Sequence, residues 1–319
     1  MATKSPDTSD KESAPKRTSR KTSAGTASKR TSKKSTAEAA PKKNRTPRPS
    51  TVTHSLNDGM LNVAVRAAIE AGKIQIRAFG NRRNLSIAAK SSGDFVTEVD
   101  KACEQIIIET LSKAYPDHRF LGEENGSQGN QESEYEWIID PLDGTTNFIH
   151  GIDQFAVSIA CKKGKHLMYA VVYDPCRNQL FTASKGKGAF LDGQRIRVSN
   201  ATILRNSLIG TGFPFREGDD YAPYMNVLKD MMQSTCGLRR PGSAALDLCF
   251  LACGRYDGFF EKGIKPWDIA AGALIAQEAG ALVTDFSGEG EYLSKNEIIA
   301  AAPGIFPALI NIIERNLKK

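Results

Sequence analysis

The first 50 residues of the chain lack every large apolar side chain except that of Met1, and this absence confines folding to the remainder. Residues 2–50 contain no Val, Ile, Leu, Phe, Trp, Tyr or Cys, and consist mostly of Lys, Arg, Ser, Thr, Ala and Pro. Such a segment cannot bury enough apolar surface to offset the entropy lost on ordering. We therefore predict a disordered tail over 1–52 and one folded domain over 53–319.

The positive charge of the chain also belongs to this tail. Of the 43 basic and 36 acidic residues, the first 50 positions hold 14 and 4, a net charge of +10, whereas the rest of the chain has a net charge of −3. Basic segments bind polyanions by counterion release, but this one has no aromatic side chain on which a base can stack. We expect any nucleic-acid contact through residues 1–50 to be independent of base sequence, and a merely solubilising extension is the alternative.

Neither a membrane span nor a disulfide framework is expected. The chain has no run of 18 apolar residues, and its N-terminus has neither the apolar core of a signal peptide nor the apolar face of a transit peptide. The six cysteines include no Cys-x-x-Cys pair, and the four histidines show no zinc-ligand spacing. This pattern is typical of reduced, mostly buried thiols in a cytoplasmic protein.

Hydrophobic periodicity predicts a mixed α/β protein. Helical spacing is found over roughly 54–79, 98–115, 219–234, 243–254, 267–279 and 304–317. Short apolar runs predict strands at 119–121, 137–139, 155–161, 167–173, 179–182, 207–211, 256–261, 281–285 and 297–302. The strands between 155 and 198 follow one another without helices, which argues against a purely parallel doubly wound sheet.

Four acidic side chains follow predicted strands or open a predicted helix. Glu123 follows one strand, Asp140 and Asp143 follow the next, and Asp268 opens a helix. Pro141 keeps Asp140 out of the helical region, and we expect a tight turn to direct both aspartates into one space. Clustered carboxylates repel one another unless hard cations such as Mg²⁺, Mn²⁺ or Ca²⁺ neutralise them.

Gly144 and Thr145 add an anion site to this acidic cluster. Gly144 permits the close approach of a ligand, and the backbone N–H groups of both residues bind phosphate if a helix begins there. Two cations about 4 Å apart clamp a phosphoryl group during in-line attack by water. Each motif alone also fits a helix cap or a surface charge, but together they predict metal-assisted hydrolysis of a phosphate ester.

Four blocks of the sequence, within about residues 56–317, resemble the inositol monophosphatase family. They are Lys90-Ser-Ser-Gly-Asp94-Phe-Val-Thr-Glu-Val-Asp100, Gly122-Glu-Glu124, Trp137-Ile-Ile-Asp-Pro-Leu-Asp-Gly-Thr-Thr-Asn-Phe148, and Trp267-Asp-Ile-Ala-Ala-Gly272 followed by Glu278-Ala-Gly280. Gly212-Phe-Pro-Phe215 and the segment 239–247 are similar to the bacterial SuhB-type branch of the family. One departure is Ala281, where the family frequently has a second glycine, and we expect it to affect packing only.

The resemblance implies an α-β-α-β-α layered sandwich, two to three Mg²⁺ ions per active site, inhibition by lithium and a homodimer. The implied metal ligands are Glu123, Asp140, the Leu142 carbonyl, Asp143 and Asp268. The implied catalytic residues are Thr145 and Asp100, which would orient and deprotonate the attacking water, and Glu123, which would assist a third ion. The implied substrate contacts are Asp143, Gly144, Thr145, Ala244, Glu261 and Asp268, and the implied supporting residues are Lys90 and Glu124.

We therefore expect a Mg²⁺-dependent hydrolase of a small phosphate monoester, with myo-inositol monophosphate as the preferred substrate. Histidinol phosphate, fructose 1,6-bisphosphate and 3′-phosphoadenosine nucleotides are rival substrates. A nucleic-acid- or transcription-associated regulatory role that uses the basic tail is a second class of function.

Overall fold

Two sheets alternate with three layers of helices in the computed structural model, which describes residues 58–81, 87–91, 94–214 and 221–317. The predicted tail at 1–52 lies outside these residues. The helices are α1 (Gly59–Gly80), α2 (Glu98–Ala114), α3 (Thr145–His150), α4 (Tyr221–Ser234), α5 (Ala244–Ala252), α6 (Pro266–Ala279), α7 (Tyr292–Lys295) and α8 (Phe306–Leu317). The strands are β1 (Ile87–Ser91), β2 (Asp94–Thr97), β3 (Arg119–Gly122), β4 (Gly126–Gly129), β5 (Tyr135–Asp143), β6 (Ala156–Lys163), β7 (His166–Asp174), β8 (Gln179–Ser184), β9 (Gly188–Leu191), β10 (Gln194–Arg195), β11 (Leu208–Thr211), β12 (Gly237–Arg239), β13 (Gly258–Lys262), β14 (Leu282–Thr284) and β15 (Glu297–Ala301).

Both sheets are mixed, and the run of consecutive strands that argued against a purely parallel sheet lies in the larger one. The larger sheet has the order β10-β9-β8-β7-β6-β5-β3-β4, with antiparallel neighbours throughout except for the parallel pair β3 and β5. The smaller sheet has the order β12-β11-β13-β15-β14, in which β11 is parallel to both neighbours and β15 is antiparallel to both of its own. Strands β1 and β2 form a separate antiparallel pair.

The distribution of apolar side chains decides which layer each helix occupies. Every residue of α5 is buried, and α5 and α6 fill the space between the two sheets, since a helix that is apolar on all sides needs cover on all sides. Helices α1 and α2 pack on the outer face of the larger sheet, and α4 and α8 pack on the smaller sheet, each burying one face only. The order of layers is the expected α-β-α-β-α sandwich.

Local sequence signals at the starts of two helices position Asp100 and Asp268. Helix α2 begins with a capping box, in which the Thr97 side chain accepts from the Val99 N–H and Asp100 accepts from the Thr97 N–H. Helix α6 begins at Pro266, whose fixed φ suits the first helical position, and is capped after Ala279 by Gly280, which has a φ of 100°. Asp100 and Asp268 therefore each lie in the first turn of a helix.

The described residues also bear on the expectations about membrane spans and cysteines. None of the helices there combines the length and the apolar character that crossing a bilayer requires. All six cysteines fall within the described residues and are free thiols; Cys103, Cys161 and Cys249 are buried, whereas Cys236 is exposed.

Candidate active site

An open pocket at the ends of β3 and β5 and at the starts of α3, α5 and α6 collects most of the predicted site residues. Its lining includes Glu123, Asp140, Leu142, Asp143, Gly144, Thr145, Ala244, Glu261 and Asp268. These positions span almost half of the chain, so the fold itself assembles the pocket. The side chain of Lys90 lies outside the described part of the structure, and its supporting role stays a prediction.

Three aspartates form the acidic centre of this pocket. Asp140, Asp143 and Asp268 each contribute one carboxylate oxygen to a group in which all three oxygens lie within 4.8 Å of one another. Glu123 lines the same pocket but stands outside that 4.8 Å group. Its predicted place as a metal ligand therefore rests on the family resemblance.

A bulge in β5, and not the predicted tight turn, brings Asp140 and Asp143 together. The strand was expected to end near Asp140, but it continues to Asp143, with Asp140 opposite Ser158 and Asp143 opposite Ala156 of β6. Three steps along β5 thus match two along β6. Side chains three positions apart point to opposite faces of a regular strand, and one surplus residue returns them to the same face.

Hydrogen bonds hold each aspartate of the group in place. Asp143 Oδ2 accepts from the Ser243 hydroxyl at 2.6 Å and from the Ala245 N–H at 2.8 Å, both at the start of α5. Asp268 Oδ2 accepts from the Lys265 N–H at 2.8 Å, and Asp140 Oδ1 accepts from the Leu142 N–H at 2.9 Å. The carboxylates are therefore set before any ligand binds.

Electrostatics make this group a site for a cation. Burial raises the pKa of Asp140 well above its usual value, and the nearby Glu123, Asp143 and Asp268 raise it further. Burial also raises the pKa of Asp143 to about 6, although bonds from Ser243 and Ala245 oppose the shift. Carboxylate oxygens that repel one another in a buried site fit a hard divalent cation, which would neutralise them.

A second hydrogen-bonded pair lies beside the aspartates. The Thr145 hydroxyl is 3.0 Å from Asp100 Oδ1 and 2.9 Å from the Leu142 carbonyl oxygen, and its single proton is donated to one of them at a time. Asp100 is fully buried, and its other oxygen accepts from Thr97. Burial raises the pKa of Asp100, while the bonds from Thr97 and Thr145 lower it.

Two buried residues that the sequence analysis missed support the loops of the pocket. Glu104 of α2 accepts from the Glu124 N–H at 2.9 Å, the Asn125 N–H at 2.9 Å and the Asn125 side-chain amide at 2.7 Å, and thereby holds the segment that follows Glu123. Gln75 of α1 donates to the Pro141 carbonyl at 2.7 Å within the β5 bulge. Neither contact could be recognised from a sequence motif, because each joins residues that are distant along the chain.

Two further predicted substrate contacts, Ala244 and Glu261, line the same pocket. Ala244 is the first residue of α5, and Glu261 lies in β13. Gly212, after β11, is so close to the Glu261 carboxylate that a Cβ at this position would overlap it. Ser243, the N-cap of α5, was also missed as a site residue, although a serine before an apolar helix is a recognisable capping signal.

Comparison with known proteins matches this architecture. The chain is 50% identical over 262 residues to the Nus factor SuhB of Pseudomonas aeruginosa, an alignment that covers 81% of this chain and 97% of that protein. The crystal structure of the extragenic suppressor protein SuhB from Bartonella henselae superposes with a TM-score of 0.78 at 41% identity, covering 81% of this chain and 99% of that one. An inositol monophosphatase from Anabaena gives a TM-score of 0.70 at 35% identity, covering 80% and 95%.

The family model confirms the resemblance seen in the sequence blocks. The model of the inositol monophosphatase family matches residues 56–318, which include every residue of the pocket. The fold, the sequence identity and the acidic pocket agree, and the chain belongs to the inositol monophosphatase family.

Proposed function

We propose that this chain hydrolyses a small phosphate monoester with the help of Mg²⁺, and that myo-inositol monophosphate is its preferred substrate. The observation that carries the proposal is the group of Asp140, Asp143 and Asp268, whose oxygens lie within 4.8 Å of one another in an open pocket. The cavity has a volume of about 150 Å³, which suits a small molecule.

The donor set fits Mg²⁺ because it consists of oxygen atoms only, most of them buried. Asp140, Asp143 and Asp268, with Glu123 and the Leu142 carbonyl, would hold two to three ions. Bound ions supply charge neutralisation for the phosphoryl group and acidify a water molecule. The Leu142 carbonyl becomes available when the Thr145 hydroxyl donates to Asp100 instead.

The remaining pocket residues bind the phosphate and move a proton. The Gly144 and Thr145 N–H groups at the start of α3 would face the phosphate oxygens. Thr145 Oγ1 would accept a hydrogen bond from the attacking water while it donates to Asp100 Oδ1, so that Asp100 receives the proton. Water then attacks phosphorus in line as the bond between phosphorus and the ester oxygen breaks, and the leaving alkoxide takes up a proton from solvent water and departs as the alcohol. Ala244 and Glu261 would contact the hydroxyl groups of the alcohol.

Phosphate release from a panel of phosphomonoesters tests this proposal. We expect release to require Mg²⁺, to stop in EDTA, and to be fastest with myo-inositol 1-phosphate when compared with the rival substrates. Asp140→Asn should lower kcat/KM by about 1000-fold, because it removes a ligand charge from the centre of the cluster. Asp117→Asn, at an exposed position outside the pocket lining, is the matched control. Undiminished turnover in EDTA would refute the proposal.

The family resemblance supports further properties of the same enzyme. We expect lithium to inhibit turnover and the chain to form a homodimer in solution. Inhibition curves and sedimentation equilibrium test these two properties separately from the substrate.

A transcription-associated role is a second candidate function. It is favoured by the name Nus factor that the Pseudomonas aeruginosa relative has, and by the net charge of +10 in residues 1–50. We propose that this segment binds RNA without sequence preference. Titration of RNA at several salt concentrations should give a steep decline of affinity with salt for the full chain and a much shallower one after deletion of 1–50. Equal slopes would leave the segment without this role.

A further inference from the structure

Another carboxyl group lines the pocket without serving the proposed metal site. Asp247 lies in the first turn of α5, only 2% of it is exposed, and it contributes to the pocket lining. Its Oδ1 has no hydrogen-bond partner in the described part of the chain. Asp247 is therefore an almost fully buried acid that borders a ligand cavity and has one carboxylate oxygen without a hydrogen-bond partner.

The surroundings of Asp247 make its retention costly for the empty protein. A buried polar atom without a partner is destabilising, since it has lost its water and gained nothing. Burial raises the pKa of Asp247, repulsion from the Glu261 and Asp143 carboxylates raises it further, and the Arg240 guanidinium lowers it in part. The start of α5 compensates in part, because a helix N-terminus favours an acid in its first turn. An apolar residue would pack in this layer at lower cost.

Glu261 is a second carboxyl group that could share a ligand with Asp247. Both residues line the same pocket, and Gly212 leaves no room for the Glu261 carboxylate to withdraw in that direction. Two carboxyl groups that line one cavity, one of them with an oxygen that has no hydrogen-bond partner, match a pair of hydroxyl groups, each of which donates one hydrogen bond. Adjacent hydroxyl groups on a ring would satisfy both.

We propose that Asp247 is a specificity-determining residue that, together with Glu261, binds the hydroxyl groups of a polyhydroxylated substrate. The proposal rests on the phosphatase function proposed above and names the feature of the alcohol that the pocket selects. Asp247 binds the alcohol part, away from the phosphate, and selects phosphate esters of polyols over those of plain alcohols.

Two substrates that differ only in their hydroxyl groups test this role. The measured quantity is the ratio of kcat/KM for myo-inositol 1-phosphate to kcat/KM for cyclohexyl phosphate, in the presence of Mg²⁺. We expect Asp247→Ala to lower this ratio about tenfold, the effect of one lost hydrogen bond to a carboxyl group. Asp247→Asn, which keeps an oxygen acceptor and the side-chain volume, should lower it less. The Tm of Asp247→Ala should equal or exceed that of the wild type.

The alternative role for Asp247 is purely structural, as a favourable acid in the first turn of α5. In that case Asp247→Ala would lower the Tm and would reduce turnover of both substrates by the same factor. An unchanged substrate ratio, with or without a lower Tm, therefore overturns the specificity role. If the wild type hydrolyses neither substrate, the phosphatase function itself fails, and that result is distinct from an unchanged ratio in an active enzyme.

Discussion

Replacing Glu104 by Gln tests whether helix α2 holds the loop that contains Glu123. The Glu104 side chain is fully buried, and its two oxygens accept three hydrogen bonds from Glu124 and Asn125. Glutamine has nearly the same shape, but one of its two terminal groups is an NH₂ donor. The substitution therefore removes an acceptor and the charge while the volume is conserved.

The expected loss follows from these contacts. If the glutamine oxygen takes the place of Oε1, the two bonds from Asn125 survive, and the Glu124 N–H faces another donor. The lost charged hydrogen bond costs about 2 kcal/mol, and the two survivors weaken when the charge is removed. Burying a neutral group is easier and offsets part of this loss. We expect the free energy of unfolding to fall by about 2–3 kcal/mol.

Urea denaturation and phosphate release measure the two consequences. The segment after Glu123 should shift, and kcat/KM should fall at least tenfold, since a misplacement of about 1 Å costs up to about 100-fold. Glu109→Gln is the matched control on the same helix, because Glu109 is exposed and its carboxylate accepts a hydrogen bond from the exposed Gln105 side chain. A Glu104→Gln protein that unfolds within about 0.5 kcal/mol of the wild type and keeps full activity would show that the loop needs no such anchor.

Two further substitutions test the packing and the electrostatics of the fold. Gly272→Ala places a Cβ 2.6 Å from the Leu248 side chain, and urea denaturation should show that the free energy of unfolding falls by about 1–3 kcal/mol. Gly80→Ala is the control, because its Cβ meets nothing within 4 Å, and it should be neutral or slightly stabilising. Burial raises the pKa of Asp285, but hydrogen bonds from Lys295 and backbone N–H groups outweigh it and lower the pKa overall. The stabilising effect is then complete above about pH 5, begins to decline near the unfolded-state pKa of about 4, and is lost as pH falls through the folded-state pKa. The difference in unfolding free energy between wild type and Asp285→Asn should accordingly shrink between pH 5 and pH 2, and a constant difference would contradict this reasoning.

The long elements of the fold could be predicted because their signals are local. Helix α2 was expected over 98–115 and spans Glu98–Ala114, since a capping threonine and Pro116 mark its ends. Strands β4 and β12 were not predicted, because four or fewer residues with little apolar content have no periodicity to detect. They exist because a neighbouring strand supplies their hydrogen bonds.

The site residues that stand in local sequence motifs could likewise be predicted, whereas their long-range partners could not. Asp140, Asp143 and Asp268 stand in short, distinctive blocks and could be assigned from sequence. The partners that fix the site could not, since Ser243 reaches Asp143 across 100 positions. One signal was available for Glu104, an acid on the apolar face of a helix with Ile107 and Leu111. A charged residue at such a position indicates a specific buried partner.

The bulge in β5 has a consequence for transplanting this site into other sheets. Designers who copy Asp140 and Asp143 with their natural spacing into a regular ladder would send one carboxylate to the wrong side. The graft must include the surplus residue, and with it Pro141, whose carbonyl needs a donor such as Gln75. Shortening the spacing by one would restore regular pairing but would delete either Pro141 or Leu142, and removal of Leu142 would delete the carbonyl that is a proposed metal ligand. The bulge, its proline and the donor to the proline carbonyl must therefore be transferred together.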